Sequence, residues 1–398
     1  SAPLPIGTLS PDDAAAILRK SAGLQSEQKD LEQTLPLAGL IEGNPLCAEL
    51  AGQLIAAGVL PVDQLRELLQ EGRESSPLTT LLGTAISWLE TVAPDALVIL
   101  AAAVLLSPNP LSVNHLSGLE RRLSASADLL KWNTSLGLIR RTPDAAFEVP
   151  AGPELKALLP LPVQSRAAQL LAELIPSPRR RQRLRELVCG DYEDHDDAPR
   201  DTMDAAVESQ VARFFASQPS LSTSDIELIR RGADSTIELL VPEIGQQLWQ
   251  RVLDHSTRAG RPESELLNSL VQLGVHCHAG DKQQLARRRW RQAVDLCPVE
   301  HPLLMELLLA IAESDVNDNR FDKAEIRLNR IAKICSAQPS SSHLTLLLAQ
   351  LEYLQGGVAI GLGRYQQAHQ HFQSSIQRRS GLLPADHPLL MKSRLMLA

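Results

Sequence analysis

One five-residue string occurs twice in this chain. His301-Pro302-Leu303-Leu304-Met305 returns as His387-Pro388-Leu389-Leu390-Met391, 86 positions later. Between them lies His343, in Ser342-His343-Leu344-Thr345-Leu346, so the three histidines stand 42 and 44 residues apart. Such intervals are a repeat period, not a catalytic spacing. Units of about 20–50 residues cannot bury their apolar faces alone and must stack on one another. Stacked arrays of this kind bind other molecules more often than they catalyse reactions.

A second pattern runs through the same region. A polar or glycine turn precedes an alanine, a large apolar residue follows four positions later, and a small or apolar one three after that. Gly280-Asp281 leads to Ala286, Trp290 and Ala293; Asn319-Arg320-Phe321 to Ala324, Leu328 and Ile331; Gly363-Arg364-Tyr365 to Ala368, Phe372 and Ser375. Steps of four and three keep these positions on one helical face. The small residue lets the partner helix of a hairpin approach, and the bulky one fills the space beside it. On this reading His301, His343 and His387 belong to turns between units.

With 398 residues the chain exceeds one ordinary core and is expected to divide into several domains. Aromatic residues make up only 3%, which favours packed helices over sheets. The formal net charge of −8 argues against general nucleic-acid binding, which needs a basic surface. The five cysteines are scattered and form no CxxC, as expected of buried thiols in a reducing, cytoplasmic setting. The longest apolar run, Ala96 to Leu106, is about half of what spans a bilayer, so no membrane partner is expected. Ser1-Ala2-Pro3-Leu4 shows neither an initiator Met nor a signal peptide, and Leu389 to Ala398 ends inside a helical pattern. The chain therefore reads as a piece of a larger protein.

Helical patterns begin near Pro11, with Thr8 or Ser10 as cap, and recur over Leu31 to Ile41, Asn44-Pro45 to Gly58 and Val62 to Leu69. Residues 78–136 hold four more. Two short extended stretches then flank Pro143-Asp144, the signature of a small hairpin. Helices followed by one hairpin point to a winged-helix domain. Beyond it, Gln164 to Ile175, Thr202 to Phe215, Ser224 to Arg231 and Gly245 to Ala259 are helical. A basic run, Arg179 to Arg185, and an acidic one, Asp191 to Asp197, either neutralise each other or leave the acidic stretch a disordered loop; the basic run reads as a solvated helix face sooner than as a contact for nucleic acid or an acidic partner. His276-Cys277-His278 is not a metal site, because neighbouring residues on a helix point about 100° apart and cannot converge on one ion.

The residues from about 263 onward resemble tetratricopeptide repeats, in the long form of kinesin light chain. Leu382-Leu383-Pro384-Ala385-Asp386-His387-Pro388 is similar to that family's inter-repeat turn, and Gly363-Arg364-Tyr365-Gln366-Gln367-Ala368 to the opening of its second helix. The resemblance implies a solenoid of helix hairpins whose concave face binds peptides or proteins. Residues 8–160 resemble the region after the nucleotide-binding core of STAND-class (NB-ARC type) signalling ATPases. Leu9-Ser10-Pro11-Asp12-Asp13-Ala14 is similar to the family's strand exit. Leu40-Ile41-Glu42-Gly43-Asn44-Pro45-Leu46-Cys47-Ala48-Glu49-Leu50-Ala51-Gly52 is similar to its "G-x-P-L-A-L-x-x-x-G" lid motif. The match implies that Pro45 packs against the adenine of ADP or ATP, with Gly43 setting the start of the helix. Two departures limit this. The chain holds no GxxxxGK[ST] phosphate loop, and Pro150-Ala151-Gly152 stands where the family carries Met-His-Asp. This chain alone is therefore expected to hold no cofactor, and ATP or ADP only together with a nucleotide-binding domain.

The expected fold is all-α: a helical lid-like domain over 1–76, a winged-helix domain over 77–160, a helical linker or degenerate repeats over 161–260, and a tetratricopeptide-like α-solenoid over 261–398. The expected function is that of a non-enzymatic regulatory and sensor fragment. Its repeats bind a protein or peptide, and its lid and winged helix relay a conformational switch. The alternatives are a transcriptional regulator with a DNA-binding winged helix, in which Arg121, Arg122 and Lys131 would approach the duplex, and a scaffold with repeats only.

Overall fold

The computed structural model describes residues 9–24, 28–72, 75–108, 112–123, 129–142, 146–175, 183–189, 202–298, 301, 303–336 and 341–397. The fold is all-α apart from one two-stranded ribbon among these residues. It divides into two compact units, residues 1–176 and 177–398.

The first unit opens with α1 (Pro11–Ala22), α2 (Gln28–Leu40), α3 (Pro45–Ala56) and α4 (Val62–Glu71). Ser10 caps α1 by accepting from the Asp13 N–H, with Pro11 at the first turn and Asp12 and Asp13 at the positive helix end. The helix stops at Gly23, whose φ of 67° closes a left-handed C-cap. α5 (Pro77–Val92), α6 (Pro94–Leu106), α7 (Val113–Arg122) and α8 (Leu129–Ser135) follow. The apolar run Ala96–Leu106 is buried throughout, so α6 is the central helix of this unit and not a membrane segment. No helix among the described residues is long and apolar enough to cross a membrane.

The hairpin expected from the sequence is present. β1 (Arg140–Arg141) and β2 (Phe147–Glu148) pair antiparallel, Arg140 opposite Glu148 and Arg141 opposite Phe147. The Pro143-Asp144 turn lies outside the described residues. α9 (Gly152–Leu158), which the sequence reading did not anticipate, packs on α5 and α6. α10 (Leu161–Leu174) packs on α6 and α7.

The second unit contains α11 (Arg183–Cys189), α12 (Thr202–Ala216) and a series of hairpins: α13 (Thr223–Glu238) with α14 (Pro242–Arg258), α15 (Glu263–Ala279) with α16 (Gln283–Leu296), α17 (Leu303–Asn317) with α18 (Phe321–Cys335), and α19 (Ser342–Gly361) with α20 (Tyr365–Ser380). α21 (Pro388–Leu397) follows. The acidic run 191–197 lies outside the described residues.

These four hairpins share one turn. Leu240, Asp281, Asn319 and Gly363 all adopt left-handed backbone, with φ of 56°, 58°, 58° and 73°. The next residue in each case donates its N–H five positions back: Val241 to Thr236, Lys282 to Cys277, Arg320 to Asp315 and Arg364 to Ala359, at 2.9, 2.8, 2.8 and 2.7 Å. This is the Schellman closure of the first helix, and it sets the crossing of the second. Five residues after each left-handed residue come Gly245, Ala286, Ala324 and Ala368. The bulky residues that follow four later are Trp249, Trp290, Leu328 and Phe372, at most 2% exposed. Sixteen positions before each bulky residue stands a small one on the first helix: Ala233, Gly274, Ala312 and Gly356. Ala286, Ala324 and Ala368 thus occupy equivalent places, and the same register begins one hairpin earlier than the sequence pattern showed.

His343 departs from this register and corrects the histidine spacing. His301 and His387 each lie just before a helix and accept, through Nδ1, the N–H of Leu303 and Leu389 at 3.2 and 3.1 Å. Ser341 does that work for α19, accepting from the Leu344 N–H at 3.0 Å. His343 sits inside α19 and contacts Glu306 on α17. The intervals of 42 and 44 approximated the period through one residue that is not equivalent.

Candidate functional site

Two places in the structure could carry function, one in each unit. In the first unit the chain before α3 turns through two consecutive left-handed residues, Glu42 at φ 54° and Gly43 at φ 69°. Glycine takes this backbone freely; glutamate does so at a cost. The Leu9 N–H donates to the Gly43 carbonyl at 2.9 Å, so the two segments that carry the signalling-ATPase resemblance meet. Gly43 is buried, Asn44 exposed and Pro45 half-buried at the first position of α3. The Asn44 side chain accepts from the N–H groups of Leu46 and Cys47 at 2.9 and 3.2 Å. Those amides are therefore committed, and this helix end offers a proline ring rather than a phosphate cradle.

α3 then connects this corner to the rest of the unit. A methyl group on Gly52 would overlap the Leu18 carbonyl, so α1 and α3 lie backbone to backbone there. Glu49, one turn beyond Pro45, forms an ion pair with Arg140 on β1. The amide of Gln53 packs on Gly137, whose φ of 68° favours glycine at that position. One rigid helix thus carries the Pro45 corner at its start and the hairpin on its flank. Cys47 lies between, its thiol pushed up to about 11 by burial and, less, by Glu42. Of the basic residues considered for DNA contact, Arg122 is committed to Glu173 on α10, at 2.6 Å to the carboxylate and 3.0 Å to the backbone carbonyl.

In the second unit the first helices of successive hairpins converge. Glu313 on α17 receives Gln350 from α19 at 3.3 Å and Lys392 from α21 at 3.3 Å. A side chain on α21 thus reaches α17 past the intervening α19, which places these first helices on the inside of the array's curve. The Lys392 ammonium also lies 5.0 Å from the centre of the Tyr353 ring.

That inner side is not bare. α11 packs against α15, α17 and α19, the first helices of three successive hairpins. Its Leu184 and Val188, one helical turn apart, are 2% and 0% exposed. Burying two such side chains is worth about 3–6 kcal/mol before ordering costs. α17 is buried without interruption from Leu304 to Ala312, on every side of the helix. A first helix covered only by its hairpin partner and its neighbours would leave one stripe open.

The remaining polar clusters are structural. His276 is fully buried, with Nδ1 2.8 Å from the Gln272 carbonyl and Nε2 2.9 Å from the Ala233 carbonyl. Among the described residues no group of His, Cys, Asp and Glu could hold a metal ion. Asp315, fully buried, is ringed by Arg327, Arg287 and Arg291. Burial pushes the Arg327 guanidinium down from its ordinary value, and Asp315 opposes that shift. Sequence reading missed α11 as a docked element, because its basic residues mark it as a solvated stretch. The available signal was the pair Leu184 and Val188, four apart within that run.

No family model matches the sequence, and no curated protein matches it. Among solved structures, the chain is similar to a signal transduction ATPase with numerous domains (STAND) protein with a tetratricopeptide repeat sensor, from Pyrococcus horikoshii. The two are 11% identical with a TM-score of 0.40, over 98% of this chain and 62% of that one. The chain thus spans less than two thirds of that protein's length. At that distance the fold rests on the recurring turns and buried pairs described above.

Proposed function

We propose that this chain is the regulatory and sensor region of a STAND-type signalling ATPase. Its repeats bind a protein or peptide along their first helices. Its lid-like and winged-helix elements relay the resulting change to a nucleotide-binding domain. The observation that supports this most is the inner side of the repeat array, where a helical segment already lies across three successive first helices. A surface that holds one short helix has the shape and the apolar footing to hold another.

The relay is supported by α3. Movement of the Pro45 corner would be carried through Glu49 to Arg140 and the hairpin, as one helix carries both Pro45 and Glu49. Such a switch needs two states of unequal ligand affinity, since a ligand that binds both equally shifts neither. Pro45 would supply an apolar face for adenine, and the phosphates would be held by the separate nucleotide-binding domain. Catalysis lies outside this chain's role.

The binding half of the proposal is tested by selecting helical peptides from a displayed library against the full chain. The recovered binders are then measured against two variants. Glu313→Arg reverses charge on the inner side, and Arg288→Glu does so on the exposed face of α16. Selective loss with Glu313→Arg is expected. Equal binding to both variants would overturn the assignment of the inner side.

A further inference from the structure

We propose that α11 is a tethered ligand of the repeats. It occupies the surface that an external partner uses, and that partner is a protein presenting a short amphipathic helix with two apolar side chains one turn apart. This inference rests on the sensor reading above and specifies its site and the chemistry of its ligand.

Four observations carry it. First, α11 touches the first helices of three hairpins in succession, α15, α17 and α19. A segment serving only to connect α10 to α12 has no need to cross three units. Second, it carries a buried i, i+4 pair, Leu184 and Val188, both at most 2% exposed. That is the footprint by which an amphipathic helix is read in a groove. Third, seven residues are too few to hold a helix in water unaided, so α11 owes its form to the surface beneath it. Fourth, charge is complementary. α11 carries Arg183 and Arg185 in its sequence, while the first helices carry Glu306, Glu313 and Glu352, whose partners here are His343, Lys392 and Arg378. The carboxylates of Glu313 and Glu352 keep 18% and 17% of their side-chain surface open.

A tethered occupant lowers the apparent affinity of any competitor by the fraction of time the surface is free. α11 therefore sets a threshold: a partner engages only when its own helix outcompetes the built-in one. The partner's helix is expected to share the apolar pair and to carry basic residues beside it.

The test uses the full chain and a fluorescent synthetic peptide of residues 179–189, with Cys189 replaced by serine. Its binding is measured by anisotropy to the wild-type chain and to Leu184→Asp/Val188→Asp, which cannot seat its own α11. The milder Leu184→Ala/Val188→Ala serves if the aspartates impair folding, with far-UV circular dichroism as the control. At least tenfold tighter binding to the variant is expected, with crosslinks on α15, α17 and α19. Equal, weak binding to wild type and folded variant would overturn the inference. If library-selected peptides then still bind the inner side with unchanged affinity, the sensor reading stands and only the tethered ligand falls. If nothing binds the folded variant, both fall.

Discussion

Trp290 packs against Gly274, sixteen residues earlier on the facing helix, so closely that a methyl group there would overlap the indole nitrogen. Phe372 and Gly356 repeat the arrangement, a methyl on Gly356 standing 2.7 Å from the ring. Ala312 with Leu328 and Ala233 with Trp249 are the corresponding pairs in the other two hairpins.

Gly274→Ala is therefore expected to destabilise the repeat unit by about 1–3 kcal/mol, as forced overpacking does. The cost arises although alanine favours helix by about 1 kcal/mol. Urea denaturation followed by tryptophan fluorescence measures it. A neutral or stabilising outcome would mean the helices can separate without loss.

Leu240 holds a left-handed backbone and is 86% exposed. Its three counterparts are Asp281, Asn319 and Gly363. A leucine in this conformation costs about 1–2 kcal/mol, and glycine relieves it at some entropic expense. Leu240→Gly should raise stability by about 0.5–1 kcal/mol, read as a higher midpoint in the same urea titration.

Asp315 is fully buried and faces Arg327, Arg287 and Arg291, of which Arg287 also pairs with Asp318. Removing its charge takes away the carboxylate partner of Arg327; a fully buried pair would lose about 3–5 kcal/mol, and the loss here is smaller because Arg327 and Arg291 are 22% and 47% exposed and Arg287 keeps Asp318. Asp315→Asn should accordingly lower the melting temperature far more than Asp322→Asn, whose carboxylate lies at the exposed start of α18. Differential scanning calorimetry of the two variants separates them.

Burial raises the thiols of Cys47, Cys277, Cys297 and Cys335 above their usual value of 9.0, Cys47 to about 11. In this direction the unfolded state loses its protons first as pH rises, so it binds fewer protons than the folded state and stability falls. The loss sets in near pH 9 and, for Cys47, is complete above about 11. The matching kinetic observation is alkylation by iodoacetamide at pH 8. These thiols should react only after denaturant is added, because the thiolate is the reactive form.

Much of the repeat fold was legible in the sequence because hairpin packing imposes fixed steps. The four-and-three spacing after Ala286, Ala324 and Ala368 marks a helix face that must lie against its partner. The α13–α14 unit escaped because Gly245 and Leu240 replace the usual alanine and polar turn residue. Glycine and leucine there satisfy the geometry but not the pattern. His343 misled for the opposite reason: it falls near the expected interval but lies within α19, not before it. The hairpin at Arg140–Glu148 was legible from its extended stretches, whereas α9 was hidden by Pro150 and Pro153, which read as loop. Gly43 and Pro45 were found through resemblance. Their link to the hairpin, through Glu49 and Arg140, depends on residues ninety-one apart and had no local signal. α11 was obscured by its charge, since its buried residues Leu184 and Val188 stand within a basic run.

The account turns on recognition by the first helices of the repeats. A photo-activatable group placed in a selected helical peptide, irradiated with the full chain and mapped by mass spectrometry, tests this most directly. Adducts on α15, α17 and α19 are predicted. Adducts concentrated on α16, α18 and α20 would contradict it.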